Sequence, residues 1–370
     1  MHAGPDTDRI SPEYLAVRPC IIPVIIILSS YKINLYFFCV CVWLVLRRGG
    51  EETIISLLYD FFPKKELRLV SKSFIRSTVM PVLAAVIWGM AFVAQTQNTI
   101  GTFSFIACRA VLAFVFLLIV ILIKGKGNVK MLLRESTPEG TKALWLGGVL
   151  SGVFLTSATF FQQHGLDMGT DAGKAGFITA LYIVLVPLTG IFFGRKMNAR
   201  LWIAVALAVI ALYLMCVQNG FTVEKSDAWV FFAPFLFCCQ ILAIDRFSPR
   251  CDCIKMSCVQ FLTSFILSVP GALFARENFS FALLSDCLLP VLYLGIFSSG
   301  IAYTLQIVAQ KGSNPAVVSI LLSMESVFSL LFGWLILHEV MSASQYAGCF
   351  IMLCAVLLTQ LPAGKGKQKV

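Results

Sequence analysis

One carboxylate, that of Glu325, lies inside an otherwise apolar run of the chain. It falls about ten residues into a run of about 23, which at about 1.5 Å of rise per residue is close to the middle of a membrane-spanning helix. An ionisable group at that depth costs several kcal/mol unless it is paired or hydrated. We therefore interpret Glu325 as a candidate for substrate binding or for a proton-coupled step. The structural alternative is a carboxyl group hydrogen-bonded to a neighbouring helix.

Arg109 is a second charged residue within an apolar run, about six residues from the start of its helix, a depth from which a long basic side chain can reach the interface. Because reaching the interface is easy from there, we favour a structural or gating role. The alternative is direct binding of an anionic substrate, since a guanidinium group pairs well with carboxylate and phosphate.

Two pairs of aromatic and amide side chains have the same spacing. Phe160 and Gln163, like Tyr303 and Gln306, are separated by three residues and share a helix face. If the two faces meet, they form an aromatic and amide pocket suited to a small polar metabolite. The alternative is plain hydrogen bonding between helices, worth about 0.6 kcal/mol per bond in membranes.

The remaining residues suggest little further chemistry. Weaker candidates, which packing alone would explain, are Trp88, Gln95, Thr179, Tyr182, Ser319 and Ser323. The sequence has no Walker loop, no His-Glu-x-x-His motif and no nucleophile elbow. Cys251 and Cys253 lack the second cysteine pair expected of a zinc site. We therefore expect no metal, no cofactor and no enzymatic activity.

Composition identifies the elements that must position these residues. Of 370 residues, 58% are apolar and 13% are charged, and the mean hydropathy is +0.86, whereas soluble domains carry about 25% charged residues. Apolar runs of about 20 residues match a hydrocarbon core of about 30 Å and are too long for barrel strands. The fold class is therefore all-α integral membrane. The net charge of +10 does not indicate nucleic acid, because the basic residues lie in short loops, where they set orientation.

Ten transmembrane helices are predicted for residues 78–361, at residues 79–97, 103–123, 142–164, 173–193, 201–218, 228–246, 256–274, 287–309, 315–337 and 343–361. Lys and Arg are concentrated in alternate loops, and the other loops carry Lys174, Lys225 and Arg276 alone. Because cytoplasmic loops retain Lys and Arg, we place both ends of this region inside. A basic cytoplasmic tail follows at 362–370, and we expect a multi-pass protein of the plasma membrane.

An internal repeat relates the two halves of the chain. A shift of 143 positions brings Gly169 onto Gly312 and keeps the helix edges in phase, so residues 78–218 and 228–361 form two five-helix repeats. The shift spans an odd number of helices, so the repeats must be inverted. Inverted repeats are typical of secondary transporters, with the substrate site near the midplane between them.

Residues 1–70 fall outside both repeats. The segment 20–46 is strongly apolar and precedes Arg47 and Arg48, so it is a candidate extra membrane helix. It lacks the basic start and small-residue cleavage site of a clean signal peptide. The alternative is that this region is not native and that translation begins near Val70.

Three stretches resemble the EamA type of the drug/metabolite transporter superfamily. They are Trp88 to Phe92, Arg109 to Ala113, and the region from Met324 through Trp334 to His338 and Glu339. The family usually has Pro where this chain has Ser326, and Glu where it has Lys196. The resemblance covers about residues 78–361. It implies ten helices in two repeats, alternating access, and transport of a small metabolite, often outward.

The leading hypothesis is therefore a secondary transporter, an exporter of small metabolites or drugs, with a small-molecule substrate, protons and the lipid bilayer as partners. A second copy of the chain is a further candidate partner. One alternative is a carrier of nucleotide-sugars or lipid headgroups, which basic residues facing the cavity would favour. Another is an intramembrane enzyme that modifies lipids, against which the presence of three His residues in the whole chain argues.

Overall fold

A computed structural model of the protein describes residues 74–95, 98–125, 132–170, 172–192, 194–195, 197–217, 224–277, 280–337 and 340–361. The predicted extension at 1–70, with its apolar segment at 20–46, lies outside these residues. The tail at 362–370, Lys196, His338 and Glu339 lie outside them too. Within the described ranges, helices are the sole regular secondary structure.

Ten helical spans, α1 to α10, succeed one another. Six of them have one α-helical segment: α1 Met80–Gln95, α2 Thr102–Lys124, α3 Pro138–Asp167, α5 Ala199–Cys216, α7 Cys253–Phe274 and α10 Ala343–Gln360. A π-helical turn, Ile75–Val79, precedes α1. The other four spans have several segments: α4 Ala172–Ala180 and Tyr182–Phe192, α6 Asp227–Val230 and Ala233–Phe247, α8 Leu288–Leu292, Tyr293–Ala302 and Tyr303–Gln310, and α9 Pro315–Leu322 and Glu325–Leu337.

The predicted fold class is confirmed. Among the described residues, nine spans are long and apolar enough to cross a bilayer, and α1 adds an apolar helix of 16 residues. Each predicted span coincides with one of the ten. The start of α3 differs most, because Thr137 caps the helix and Pro138 occupies its first turn, so it begins ahead of the predicted start at residue 142.

Polar side chains fix where the helices begin. The first N–H groups of a helix have no partner within it, and side-chain oxygens satisfy them. Capping side chains of this kind stand before α3, α5, α7, α9 and α10, and they belong to Thr137, Asn198, Asp252, Asn314 and Ser342. Pro follows directly after Thr137 and Asn314, in the first turn, where its missing N–H costs nothing. These five helix starts are therefore encoded locally.

The connections between the spans gather at two ends of the bundle. We call one the basic end; there Arg195, which follows α4, forms an ion pair with Asp245 of α6. At the same end, Lys255 Nζ of α7 lies 3.8 Å from Glu135 Oε1, just before α3. Each pair joins segments that the alternating topology places on the same side of the membrane.

The opposite end has its own contacts. Lys174 Nζ of α4 lies 3.1 Å from Asp227 Oδ2 of α6. The carboxylate of Glu277, after α7, accepts hydrogen bonds from the backbone N–H groups of Phe103 and Ser104 at 2.8 and 2.7 Å, and so caps α2. These segments also share one side in the predicted topology, which supports the order of the ten spans.

The inverted repeat is visible in two helix breaks. In α4 the regular pattern is interrupted at Leu181, whose N–H donates to the carbonyl of Ile178 at 3.2 Å. In α9 it is interrupted at Met324, whose N–H donates to the carbonyl of Leu321, also at 3.2 Å. The shift of 143 positions brings Ile178 onto Leu321 and Leu181 onto Met324, so the two hydrogen bonds are equivalent in the two repeats. The two repeats therefore share this irregularity as well as their helix order.

Gly89 allows α1 to approach α9 closely. A Cβ at this position would lie 2.6 Å from the Cβ of Phe328 and 2.9 Å from the backbone N of Ser329. Small residues at such crossings let helix backbones pack together in membranes. Gly89 thus permits the close packing of α1 on α9, and this packing fixes the position of the neighbouring Trp88.

We expect Gly89→Ala to lower the free energy of unfolding by about 1–3 kcal/mol, because the added methyl group meets α9 backbone atoms that cannot move freely. Gly190→Ala is the matched control, since its Cβ would lie 3.5 Å from the Arg195 side chain, an ordinary contact. The control should equal the wild type or gain up to about 1 kcal/mol from helix propensity. Denaturation of the purified proteins in detergent measures both. Equal loss in the two variants would contradict the packing role of Gly89.

Candidate functional site

A cavity lies between the two halves of the bundle. It offers about 570 Å³ of space not filled by protein atoms, including the space at its opening. α1 to α4 line it from the first half and α6, α8 and α9 from the second. The lining side chains are those of Trp88, Ala91, Gln95, Arg109, Thr159, Gln162, Thr179, Tyr182, Phe237, Gln240, Ile241, Ser298, Tyr303, Gln306, Leu322 and Glu325.

The structure brings most of the sequence-predicted site residues together here. Those at the cavity are Glu325, Tyr303, Gln306 and Arg109, and of the weaker candidates Trp88, Tyr182, Gln95 and Thr179. Phe160, Gln163, Ser323 and Ser319 are not among the lining residues. The lining also includes polar residues that sequence reasoning missed, namely Thr159, Gln162, Gln240 and Ser298.

The predicted residues outside the lining have other neighbours. The ring of Phe160 stacks on that of Phe103, with centroids 4.5 Å apart. Gln163 Nε2 donates to Asp167 Oδ1 at 2.9 Å, near the opposite end. The hydroxyl of Ser323 donates at 2.7 Å to a carbonyl three residues earlier in its own helix. The expected meeting of two equivalent aromatic and amide faces is therefore not what the structure shows.

A π-helical stretch explains the mismatch between the two repeats. In α8 the segment Tyr293–Ala302 is π-helical, whereas α3 is α-helical throughout. π-helical i→i+5 bonding fits extra residues into a turn, so the residues after it face another direction than a repeat shift predicts. Tyr303 and Gln306 consequently share the cavity with Thr159 and Gln162. The shift of 143 would instead pair them with the next residues along α3, Phe160 and Gln163.

Glu325 is the first residue of the second segment of α9, directly after the break. It is 7% exposed, and its carboxylate forms no hydrogen bond or ion pair with any described residue. Tyr182, the equivalent residue of α4, lines the same cavity. The carboxylate is therefore available to a proton or a ligand.

Arg109 is buried at the cavity wall. It is 6% exposed, and its Nε and Nη2 groups donate to the hydroxyls of Ser299 and Ser298 at 3.1 and 3.4 Å. The side chain therefore stays inside the bundle and does not take the path to the interface that its depth in α2 allows. α2 packs so closely on α8 that a Cβ on Gly295 would lie 2.6 Å from Leu112, and the serine hydroxyls of α8 hold the guanidinium inside.

Three buried glutamines form a chain of amides beside the cavity. Gln306 Nε2 donates to Gln240 Oε1 at 3.3 Å, and Gln240 Nε2 donates to Gln260 Oε1 at 3.4 Å. The carbonyl oxygen Oε1 of Gln306 has no partner within the described part of the chain. A buried acceptor left unpaired is costly, so it is a potential hydrogen-bond acceptor for a solute. Polar residues inside apolar spans are the signal that could have identified Gln240 and Gln260 from sequence.

Aromatic rings form the apolar part of the wall. The rings of Trp88 and Tyr303 lie 4.7 Å apart between centroids, and Trp88 Nε1 donates to the backbone carbonyl of Ser298 at 3.3 Å. Tyr303 also contacts Phe261 edge to face, with centroids 5.8 Å apart. These contacts fix the rings in place, so the cavity offers a rigid aromatic surface beside the charged and amide groups.

The groups on the cavity wall suit the binding of a solute. The described residues contain no group of three or more His, Cys, Asp or Glu that could hold a metal. The lining combines one guanidinium, one carboxyl group, several amides and aromatic rings. Such a wall can bind a small polar organic solute by charge, hydrogen bonds and ring contacts.

Comparison with known proteins links this arrangement to a family. The family model described as the EamA-like transporter family matches residues 77–217 and 225–361. An uncharacterized transporter from Archaeoglobus fulgidus is 29% identical over 282 residues, covering 75% of this chain and 84% of that protein. A chloroplastic WAT1-related protein from Arabidopsis thaliana is 25% identical over 299 residues, covering 75% of this chain and 67% of that protein.

A solved structure, described as the crystal structure of a protein, matches the fold with a TM-score of 0.63 and 18% sequence identity. The match covers 77% of this chain and 96% of that one, and at this identity it supports the fold alone. The two family matches take in most of the chain and include the stretches around Trp88, Arg109 and Glu325 that suggested the resemblance. The chain therefore belongs to the EamA-like transporter family.

Proposed function

We propose that this protein is a secondary transporter that exports small polar metabolites or drugs by alternating access, with proton coupling at Glu325. As a member of its family it carries small molecules across a membrane; the substrate, the direction and the coupling are the proposed part. One observation carries the proposal: the carboxylate of Glu325 stands unpaired at a cavity between two inverted repeats.

Contacts that can separate at either end of the cavity support alternating access. α4 belongs to the first repeat and α6 to the second, and ion pairs join them at both ends, Arg195 with Asp245 and Lys174 with Asp227. The Arg195 side chain is partly exposed, and an exposed ion pair contributes only about 0–1 kcal/mol. This ion pair would therefore add little to the cost of opening the basic end, while the more buried pair holds the opposite end closed.

The position of Glu325 supports coupling. A charge at the bilayer centre costs several kcal/mol, whereas a protonated carboxyl group costs much less. When the cavity closes on both sides, Glu325 must hold a proton or a positively charged group, or bear that cost. Exposure to one side and then the other would let the same carboxyl group take up and release a proton in each cycle.

The direction and location follow from charge and from the family resemblance. The basic end bears most of the described Lys and Arg residues outside the cavity, including Arg134, Arg200, Arg250, Lys255 and Lys311. Cytoplasmic loops retain such residues, so we assign the basic end and the C-terminus to the cytoplasm and the protein to the plasma membrane. Outward transport is the direction that the resemblance implies.

The composition of the wall favours this function over the two alternatives. A carrier of nucleotide-sugars or phosphate-bearing lipid headgroups would need several cations, and Arg109 is the one basic side chain in the described lining. A lipid-modifying enzyme would need a nucleophile or acid paired with a base, and the described lining has Glu325 as its one carboxyl group and no His or Cys. We therefore propose transport without catalysis.

We expect Glu325→Gln to reduce export at least tenfold, because the amide keeps the shape of the side chain but cannot exchange a proton. Metabolites in the medium and cytosol are compared for cells that express the wild type, this variant or no transporter. Glu139→Gln, an exposed carboxylate in the first turn of α3, is the matched control and should export like the wild type. Equal export by wild type and Glu325→Gln, at equal membrane abundance, would contradict coupling at Glu325.

A reporter test checks the assigned orientation. We expect a fluorescent protein fused after Val370 to resist an impermeant quencher in intact cells, because the tail is assigned to the cytoplasm. The same reporter inserted after Val340, which is 95% exposed in the α9–α10 connection, should be quenched. Quenching of the C-terminal reporter in intact cells would reverse the assignment.

A further inference from the structure

The cavity wall carries a positive charge that the described residues do not neutralise. The hydrogen-bond partners of Arg109 are the neutral hydroxyls of Ser298 and Ser299. No described carboxylate lies within ion-pair distance of the guanidinium. A guanidinium group does not lose its proton in proteins, and a buried charge without a partner is destabilising. The protein therefore keeps a costly charge at the place where a solute would bind.

The geometry leaves part of the guanidinium free. Arg109 has five N–H donors in a planar fork, and the structure gives partners to Nε and Nη2. The remaining donors belong to a side chain that lines the cavity. Two neighbouring N–H groups of a guanidinium match the two oxygens of a carboxylate. The serine hydroxyls hold the fork in one orientation, which lowers the entropy cost of binding an anion.

Resting on the proposed transport function, we propose that Arg109 binds the carboxylate of the transported solute, so that the substrate class is small organic monocarboxylates with an apolar or aromatic body. The anionic group would lie against Arg109 and the body against the rings of Trp88 and Tyr303, which are 4.7 Å apart. Ala91, Phe237, Ile241 and Leu322 complete the apolar part of this wall.

Charge arithmetic favours a carboxylate over a phosphate. A phosphate monoester carries up to two negative charges near neutral pH, and Arg109 is the one cation in the described lining. A dianion would leave a negative charge unpaired in a buried site that also holds Glu325. A carboxylate brings one charge and cancels that of Arg109. The same solute as a neutral amide would leave Arg109 unpaired and should bind weakly.

The test uses four probes with similar bodies and different head groups. They are 3-phenylpropionate, 3-phenylpropanamide, 3-phenylpropylamine and phenyl phosphate, added to the purified full-length protein in detergent. A ligand that binds the folded state raises the thermal midpoint, and at about 100 times its dissociation constant the rise amounts to several degrees. We expect the carboxylate to raise the midpoint and the other three to change it by less than about one degree.

Two variants assign the effect to Arg109. In Arg109→Gln the shift by 3-phenylpropionate should vanish, and in Arg109→Lys it should persist at a smaller size, because Lys keeps the charge but not the fork. Without ligand, Arg109→Gln should be as stable as the wild type or more stable, since it removes an unpaired buried charge. A merely structural arginine would instead lower the midpoint of the free protein. If Arg109→Gln does not fold, the comparison of head groups in the wild type still tests the inference.

The inference is overturned if the amide, amine or phosphate stabilises the wild type as well as the carboxylate does. It is also overturned if neither 3-phenylpropionate nor its homologues from phenylacetate to 5-phenylvalerate give a shift, or if Arg109→Gln keeps the shift. These results are separable from the proposed function. Carboxylate-selective binding without export by cells would reject export alone, whereas export that survives in Arg109→Gln with the same substrates would reject the role of Arg109 alone.

Discussion

Inside hydrocarbon every backbone N–H and C=O group must find a partner within the protein, and the whole structure depends on this constraint. Unbroken helices satisfy it in α2, α3, α5, α7 and α10. Among the departures from the α-helical pattern, those at Leu181, at Met324 and in the π-helical part of α8 lie beside the cavity. Irregular backbone at membrane depth is tolerated where it is covered by protein or lines a polar cavity. These three irregular segments therefore adjoin the wall of the cavity.

Hydropathy and charge were enough to predict the ten spans, since each span must match the bilayer and each loop must lie on one side. The repeat could be read as well, because equivalent glycines and helix edges keep their phase. Which face of each helix points to the cavity could not be derived in the same way. The direction in which Tyr303 and Gln306 point depends on a π-helical stretch that the sequence pattern does not predict. The repeat shift therefore pairs them with Phe160 and Gln163, whereas the structure places them with Thr159 and Gln162.

Arg109 shows a second limit of sequence reasoning. Its depth from the helix start allows the side chain to reach the interface, and that path is usually the cheaper one. The outcome was decided by contacts with a helix about 190 positions later in the chain, where Ser298 and Ser299 hold the guanidinium. Glu325 was easier to interpret, because a carboxyl group in the middle of a span has no interface within reach. The position of a residue along its span therefore predicts that Glu325 is buried, but it does not predict the burial of Arg109.

The two breaks also differ in one respect. Leu181 is followed by Tyr182, whereas Met324 is followed by Glu325 at the equivalent position. Two identical inverted repeats would make the conformations open to either side equal in energy, because the pseudo-twofold axis would exchange them. The tyrosine at one position and the carboxyl group at the other are one of the differences that would remove that degeneracy, and each 1.4 kcal/mol of difference would change the ratio of the two conformations tenfold. Under the proposed mechanism, differences such as this one would give the protein a preferred resting orientation, and a proton on Glu325 would change it.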